Sequence, residues 1–280
     1  MSSEVRKAGF RVIAIDFEFN RHTPKVSLIS PDLTQAHAQR QVVSMMHQLR
    51  PMAIHLGLPC GTCSRARERA LPANLRGKYR APQPLRDQDN LMGFQWLKGS
   101  DRAKVEAANL LCNFGVRLLM VCWELQIIPC IENPTRSWLW AVLLKLVLET
   151  NNAEFITWFQ ALRKTTFHAC MHGSQRNKQT SLLAPDGVFN ELEAVCDNNH
   201  PHLPWEIKLS GHGLSFATAD EAAYPTVLCN RMANLLKTQA ELQHIVLGKD
   251  ITSTRQSKHA LGAQTSSAKP LVSEFSHFHH

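Results

Sequence analysis

The stretch Met52-Ala53-Ile54-His55-Leu56-Gly57-Leu58-Pro59-Cys60-Gly61-Thr62-Cys63-Ser64-Arg65 decides how the fold is read. The apolar run over 52–58 has the length and composition of a buried strand, and it stops at a proline. A cysteine, a glycine and small hydroxyl residues then take over. A strand that ends in this way delivers its tip to the carboxyl edge of a sheet, where open α/β folds bind ligands. Cys60 therefore stands where a nucleophile is useful.

The flanking elements extend that picture in both directions. A helix ending at Gly9, a strand over 11–16, a short strand within 25–33 and a helix over 35–49 precede the stretch. A helix over 104–126 and a buried strand over 127–131, tipped by Glu132-Asn133-Pro134, follow it. Strand–helix–strand alternation predicts an α/β domain over 1–165 with a doubly wound, mostly parallel sheet. Adjacent parallel tips would then set Cys60 and Glu132 on one edge. Asp16 ends the first strand, where a nucleotide-like cofactor needs an acid for its ribose hydroxyls, and Asp32 offers a second polar contact near an adenine. Both also fit ordinary turn and helix-cap roles.

Between the two tips, 65–100 is polar and basic, with Arg65, Arg67, Arg69, Arg76, Lys78, Arg80 and Arg86. A long polar loop directly after a nucleophile reads as a lid, a nucleic-acid-contacting arm or a solvated insertion, and its charge favours phosphate contact.

Composition agrees. A chain of 280 residues, 44% apolar, can bury a full core, and its formal charge of +8 favours a polyanionic partner, DNA or another nucleic acid. The eight cysteines are scattered, several inside apolar runs, and the charged start over 1–7 is unlike a secretory signal. Free or metal-bound thiols in a reducing compartment, nuclear or cytoplasmic, are expected. The longest apolar stretch, 138–148, is interrupted by Lys145 and is too short to span a bilayer, so no membrane is expected.

Pro59-Cys60-Gly61-Thr62-Cys63-Ser64, followed by Glu132-Asn133-Pro134, resembles the cytosine-5 DNA methyltransferases. The resemblance covers roughly 5–180 and implies a doubly wound sheet that binds S-adenosylmethionine. It implies that Cys60 attacks C6 of a flipped cytosine, that Glu132 engages N3, and that C5 takes the methyl group. Ser174-Gln175-Arg176-Asn177-Lys178 is a loose counterpart of the family's Gln-x-Arg-x-Arg strand, which gives Arg176 the base carbonyl. Asp16, Asp32 and Pro59 are the implied cofactor contacts. The pattern also departs from the family. Pro134 replaces an apolar residue, and the segment between the two tips is longer. The Phe-x-Gly-x-Gly turn that should precede the helix ending at Gly9 has no room, so the chain is expected to be a fragment or to have lost that element.

Helices over 137–149 and 152–163 and a strand over 165–171 lead into a Cys/His-rich segment, 166–238, that ends in closing helices over 216–236. There His168, Cys170 and His172 precede Cys196-Asp197-Asn198-Asn199-His200-Pro201-His202. Thiolates and imidazoles at this spacing suit tetrahedral zinc, with Cys170, Cys196, His200 and His202 as ligands and His168 or His172 as substitutes. The tail over 239–280 lacks periodicity and is expected to be disordered. Three functions follow: a DNA cytosine-5 methyltransferase, a degenerate relative that binds nucleic acid without transferring methyl groups, and a zinc-stabilised nucleic-acid-binding module.

Overall fold

The computed structural model describes residues 1–16, 25–79, 81–210, 213–217, 221 and 223–254. Helix α1 (Ser2–Lys7), the two-residue strands β1 (Ala14–Ile15) and β2 (Leu28–Ile29), and helix α2 (Ala36–Leu49) come first. Strand β3 (Ala53–Leu56), the long helix α3 (Gly99–Leu125) and strand β4 (Ile128–Pro134) follow. Helices α4 (Leu139–Leu148) and α5 (Ala153–Gln160) lead to β5 (Arg163–His168) and β6 (Gln179–Ala184). The hairpin β7 (Ile207–Ser210) and β8 (Gly213–Phe216) and the helix α6 (Thr226–Thr254) complete the order. Met1–Ala240 form one compact unit. Glu241–His280 form a second, whose described part is the end of α6.

The main sheet has the order β3-β4-β6-β5. β3 and β4 pair in parallel, because α3 carries the chain back between them. β6 is antiparallel to both of its neighbours, so three of the four strands run one way and β6 alone is reversed. The expected parallel sheet is therefore a mixed one. The cause is the short connection through Ala169–His172, which leaves no length for a crossover after β5. Sequence reading also missed β6 and began the closing helices at Phe216, the last residue of β8, whereas α6 starts only at Thr226. β1 and β2 pair in parallel as a separate ribbon. β3 is thus an edge strand, and Ile15 packs into the same cluster as Ile54 and Leu56.

Helices cover both faces. Ile131 and Leu183 point to α3, α4 and α5, among Leu119, Leu139, Val142, Leu143 and Phe155. Ile128, Cys130, Leu182 and Ala184 face Leu228, Met232 and Leu236 of α6. Helix α3 is long and apolar enough to cross a bilayer, but here Cys112, Leu119 and Cys122 are fully buried inside the core. α6 runs into the segment expected to be disordered, as far as Thr254; 255–280 lie outside the described residues.

The basic stretch 65–100 is a strap anchored by Leu71, Leu75, Leu85 and Leu97, all buried. Its side chains hold it down: Arg67 Nε donates to Gly61 O at 2.8 Å and Arg76 Nε to Leu71 O at 2.7 Å. Arg86, read from the sequence as a phosphate contact, is only 1% exposed. Its guanidinium donates to Leu91 O at 2.7 Å, Thr62 Oγ1 at 2.9 Å and Asn109 Oδ1 at 3.1 Å, all neutral acceptors. Arg80 lies outside the described residues. Replacing Arg86 by Ala strands those acceptors and should cost about 2–4 kcal/mol in denaturant unfolding, while Arg69→Ala, at an exposed position, should stay within about 0.5 kcal/mol.

Candidate active site and metal centre

The parallel register Leu56↔Ile131 brings the carboxyl ends of β3 and β4 together, and the chain leaves both within one edge. Asn133 Nδ2 donates to Leu58 O at 3.1 Å and so fastens the two tips. Gly115 of α3 makes room for Leu58, since a Cβ there would stand 3.1 Å from its Cδ1. Beyond the exposed Pro59, Cys63 N donates to Cys60 O at 3.0 Å, closing a tight turn. Cys63 O in turn accepts Trp138 N at 3.0 Å, and Arg86 supports Thr62 from below. The turn that carries Cys60 is therefore held from three sides.

Glu132 is buried within β4, on the face that points to α6. Its Oε2 accepts the Tyr224 hydroxyl at 3.0 Å, and its Oε1 lies 3.8 Å from Lys178 Nζ, an ion pair without a hydrogen bond. That oxygen has no hydrogen-bond partner. Tyr224 spends its one proton on Glu132, so His55 Nε2, 3.0 Å away, donates to the tyrosine oxygen. His55 Nδ1 then accepts from the Cys130 thiol at 3.4 Å. Burial holds His55 neutral, with its pKa lowered to about 4, and pushes the Cys130 thiol far up. A directional chain Cys130–His55–Tyr224–Glu132 results, and of its four members sequence reading gave a site role to Glu132 alone. The signal that was available is Tyr224-Pro225, read as a helix break or a helix start, and it leads into α6, which starts at Thr226.

Burial raises the pKa of Glu132 above the usual carboxylate range, opposed by the Lys178 ammonium and by the Tyr224 hydrogen bond. Desolvation of the sulfur also raises the Cys60 thiol, although the residue as a whole is exposed. Lys178 lowers it and Glu132 raises it further, which places all three groups within electrostatic reach. The structure thus sets Cys60 and Glu132 at the neighbouring carboxyl ends of β3 and β4 and places Lys178 beside Glu132.

Arg176 is engaged elsewhere. It is 6% exposed, with Nη1 3.0 Å from Glu221 Oε1 and Nε donating to Pro204 O at 3.1 Å. Asp32 caps the turn before α2, accepting from Thr34 N at 3.0 Å and Thr34 Oγ1 at 2.6 Å; these bonds lower its pKa. Asp16 is exposed at the end of β1, its N–H donating to Ile29 O at 3.2 Å.

A second constellation lies beyond the end of β5. The ligand atoms of Cys170, Cys196, His200 and His202 all lie within 4.8 Å of one another. Cys196 Sγ is 3.5 Å from His202 Nε2 and 3.8 Å from His200 Nε2. A tetrahedral zinc with Zn–S of about 2.3 Å and Zn–N of about 2.0–2.1 Å has ligand–ligand edges of roughly 3.4–3.8 Å, so these residues could hold a metal ion of that kind. Asn198 N donates to Cys196 Sγ at 3.3 Å, from a left-handed turn with Asn198 at φ 60°. The substitutes serve structure instead. His168 Nδ1 accepts Cys196 N at 2.9 Å, and His172 is buried between Leu192 O and Arg231.

Protonation of His55 is disfavoured in the folded state, so the unfolded chain binds the extra proton between pH 6.5 and about 4. Stability should therefore fall on acidification through that window, by up to roughly 3 kcal/mol from this group. Denaturant unfolding of His55→Gln should show a flatter pH profile across it. No family model, curated protein or solved structure matches the chain.

Proposed function

We propose that this protein is a cytosine-5 methyltransferase-like, nucleic-acid-binding protein in which Cys60 forms a covalent adduct with cytosine. The observation that carries this reading is the parallel β3–β4 edge, where Cys60 follows the end of β3 and the buried Glu132 lies near the end of β4, 3.8 Å from Lys178 Nζ. The Cys60 thiolate adds to C6 of an extruded base. Glu132, whose pKa burial raises, gives a proton to N3 through Oε1, the oxygen that has no hydrogen-bond partner. The C6 adduct is an enamine, nucleophilic at C5. Lys178 stabilises the thiolate before attack and the carboxylate after the proton has left. The +8 charge supports a polyanionic substrate, and the DNA backbone is the expected one.

The methyl donor implied by the resemblance is S-adenosylmethionine. It fits the described residues less well than the base does. The outer edge of β3 carries no strand among them, and Asp32 is taken up by its own cap. That observation favours a second reading, in which the chain binds nucleic acid and forms the adduct without transferring methyl groups. The same reading assigns a structural zinc to Cys170, Cys196, His200 and His202, with four protein ligands and no open position.

The two halves of the reaction can be measured apart. Addition of Cys60 to C6 lets C5 exchange its hydrogen with water, so DNA carrying tritium at cytosine C5 should release it without any donor. Cys60→Ser should abolish the release, and Glu132→Gln should slow it roughly 10²–10⁴-fold. Release by Cys60→Ser at the parental rate would overturn the nucleophile. Calorimetric titration with S-adenosylmethionine then separates an active transferase from a relative that no longer transfers methyl groups.

Thiol chemistry gives a test without DNA. Lys178→Met removes a positive charge that favours the thiolate, so alkylation of Cys60 by iodoacetamide at fixed pH should slow several-fold; Glu132→Gln should speed it. The fully buried Cys63, Cys112 and Cys122 should label last, for burial raises all three and pushes Cys112 and Cys122 to about 12.

A further inference from the structure

We propose that the metal held by Cys170, Cys196, His200 and His202 is a clamp for the active-site segment 175–178, so that metal occupancy sets the position of Lys178 beside Glu132. The inference rests on the zinc reading and goes beyond it, since a structural ion need not touch the chemistry.

The connections run through both ends of the ligand set. Directly after His202, the residues Leu203, Pro204 and Trp205 lie along Gln175, Arg176 and Asn177. Leu203 N donates to Gln175 O at 2.9 Å, Arg176 Nε to Pro204 O at 3.1 Å, and Trp205 Nε1 to Asn177 Oδ1 at 3.2 Å. The Arg176 guanidinium also stacks over the Trp205 ring at 5.8 Å. At the other end, Ala169 N donates to Lys178 O at 2.8 Å, closing the loop at its base one residue before the ligand Cys170. Lys178 Nζ then reaches Glu221 O at 3.4 Å and Glu132 Oε1 at 3.8 Å.

Segment 197–205 has little else to fix it. Asp197 and Asn199 are exposed, and Pro201, Leu203, Pro204 and Trp205 are exposed too. Without an ion, Cys196 Sγ holds the two imidazoles only by contacts of 3.5 and 3.8 Å, which are weak for thiol hydrogen bonds. With an ion, His200 and His202 are fixed to Cys170 and Cys196, and the three bonds from 203–205 then brace 175–177. The ion and Lys178 are joined by one short run of backbone on each side.

The test is hydrogen exchange read by mass spectrometry on the full chain, loaded with zinc and then chelated. Removal of zinc should accelerate exchange at 173–178 and 203–206 by at least roughly tenfold, while β6 amides at 179–184 keep their protection. Cys60 alkylation should slow in the chelated protein, as in Lys178→Met. Zinc that binds and leaves with 173–178 unchanged overturns the clamp and leaves the zinc reading standing. A chain that takes up no zinc overturns both. Where chelation also releases β6, Trp205→Ala decides with zinc in place: faster exchange at 175–178 at full zinc content supports the clamp, and unchanged exchange overturns it.

Discussion

The parallel pairing of β3 with β4 is the constraint on which the rest of the structure depends. Four residue pairs, from Ala53↔Ile128 to Leu56↔Ile131, fix which side chains stand on which face. A slip of one residue would put His55 and Cys130 on opposite faces of the sheet, and would part Leu56 from Ile131 in the same way. Helix α3 enforces the register, because its buried stripe must meet Ile131 and Leu56 on one side of the sheet. Once that pairing exists, the two polar tips have no freedom to separate, and Asn133 ties one to the other.

A buried carboxyl then governs the electrostatics. Glu132 loses water on entering β4, and Tyr224 and Lys178 approach its two oxygens, with His55 behind the tyrosine. Tyr224 and Lys178 come from opposite ends of the second half of the fold. The reversed strand β6 brings Lys178, just before its first residue, to the carboxyl end of β4. A parallel strand in that place would have delivered its own last residue there instead. The mixed sheet is thus what supplies the site with its cation.

The local elements were legible in the sequence where periodicity and punctuation agreed. The strand before Pro59, the amphipathic helix before Ile127 and the apolar helix before Thr150 all lie within a few residues of their expected bounds. The Cys/His set was legible because ligand spacing is a local property, and its four members do converge. What failed was what depends on distant partners. Arg86 reads as one more surface cation, but Asn109 and Leu91 capture it. Arg176 reads as a base contact, and Glu221 takes it. β6 carries Thr180 and Ser181, both buried, in a short run that no local pattern marks as a buried strand; the Ser181 hydroxyl finds Thr135 and Thr166, each at 2.8 Å.

The sequence by itself determined the order of the tips, Cys60 before Glu132, and the types of residue that could act there. It also determined the candidate metal-ligating set, since three of its donors, Cys196, His200 and His202, lie within one short loop. Only the tertiary structure decided which cation serves the pair, which strand runs backwards, and that His55 and Tyr224 stand behind the carboxyl. The reason is physical: a hydrogen bond or ion pair over 3–4 Å depends on where two distant segments come to rest, and no residue carries that distance in its own identity.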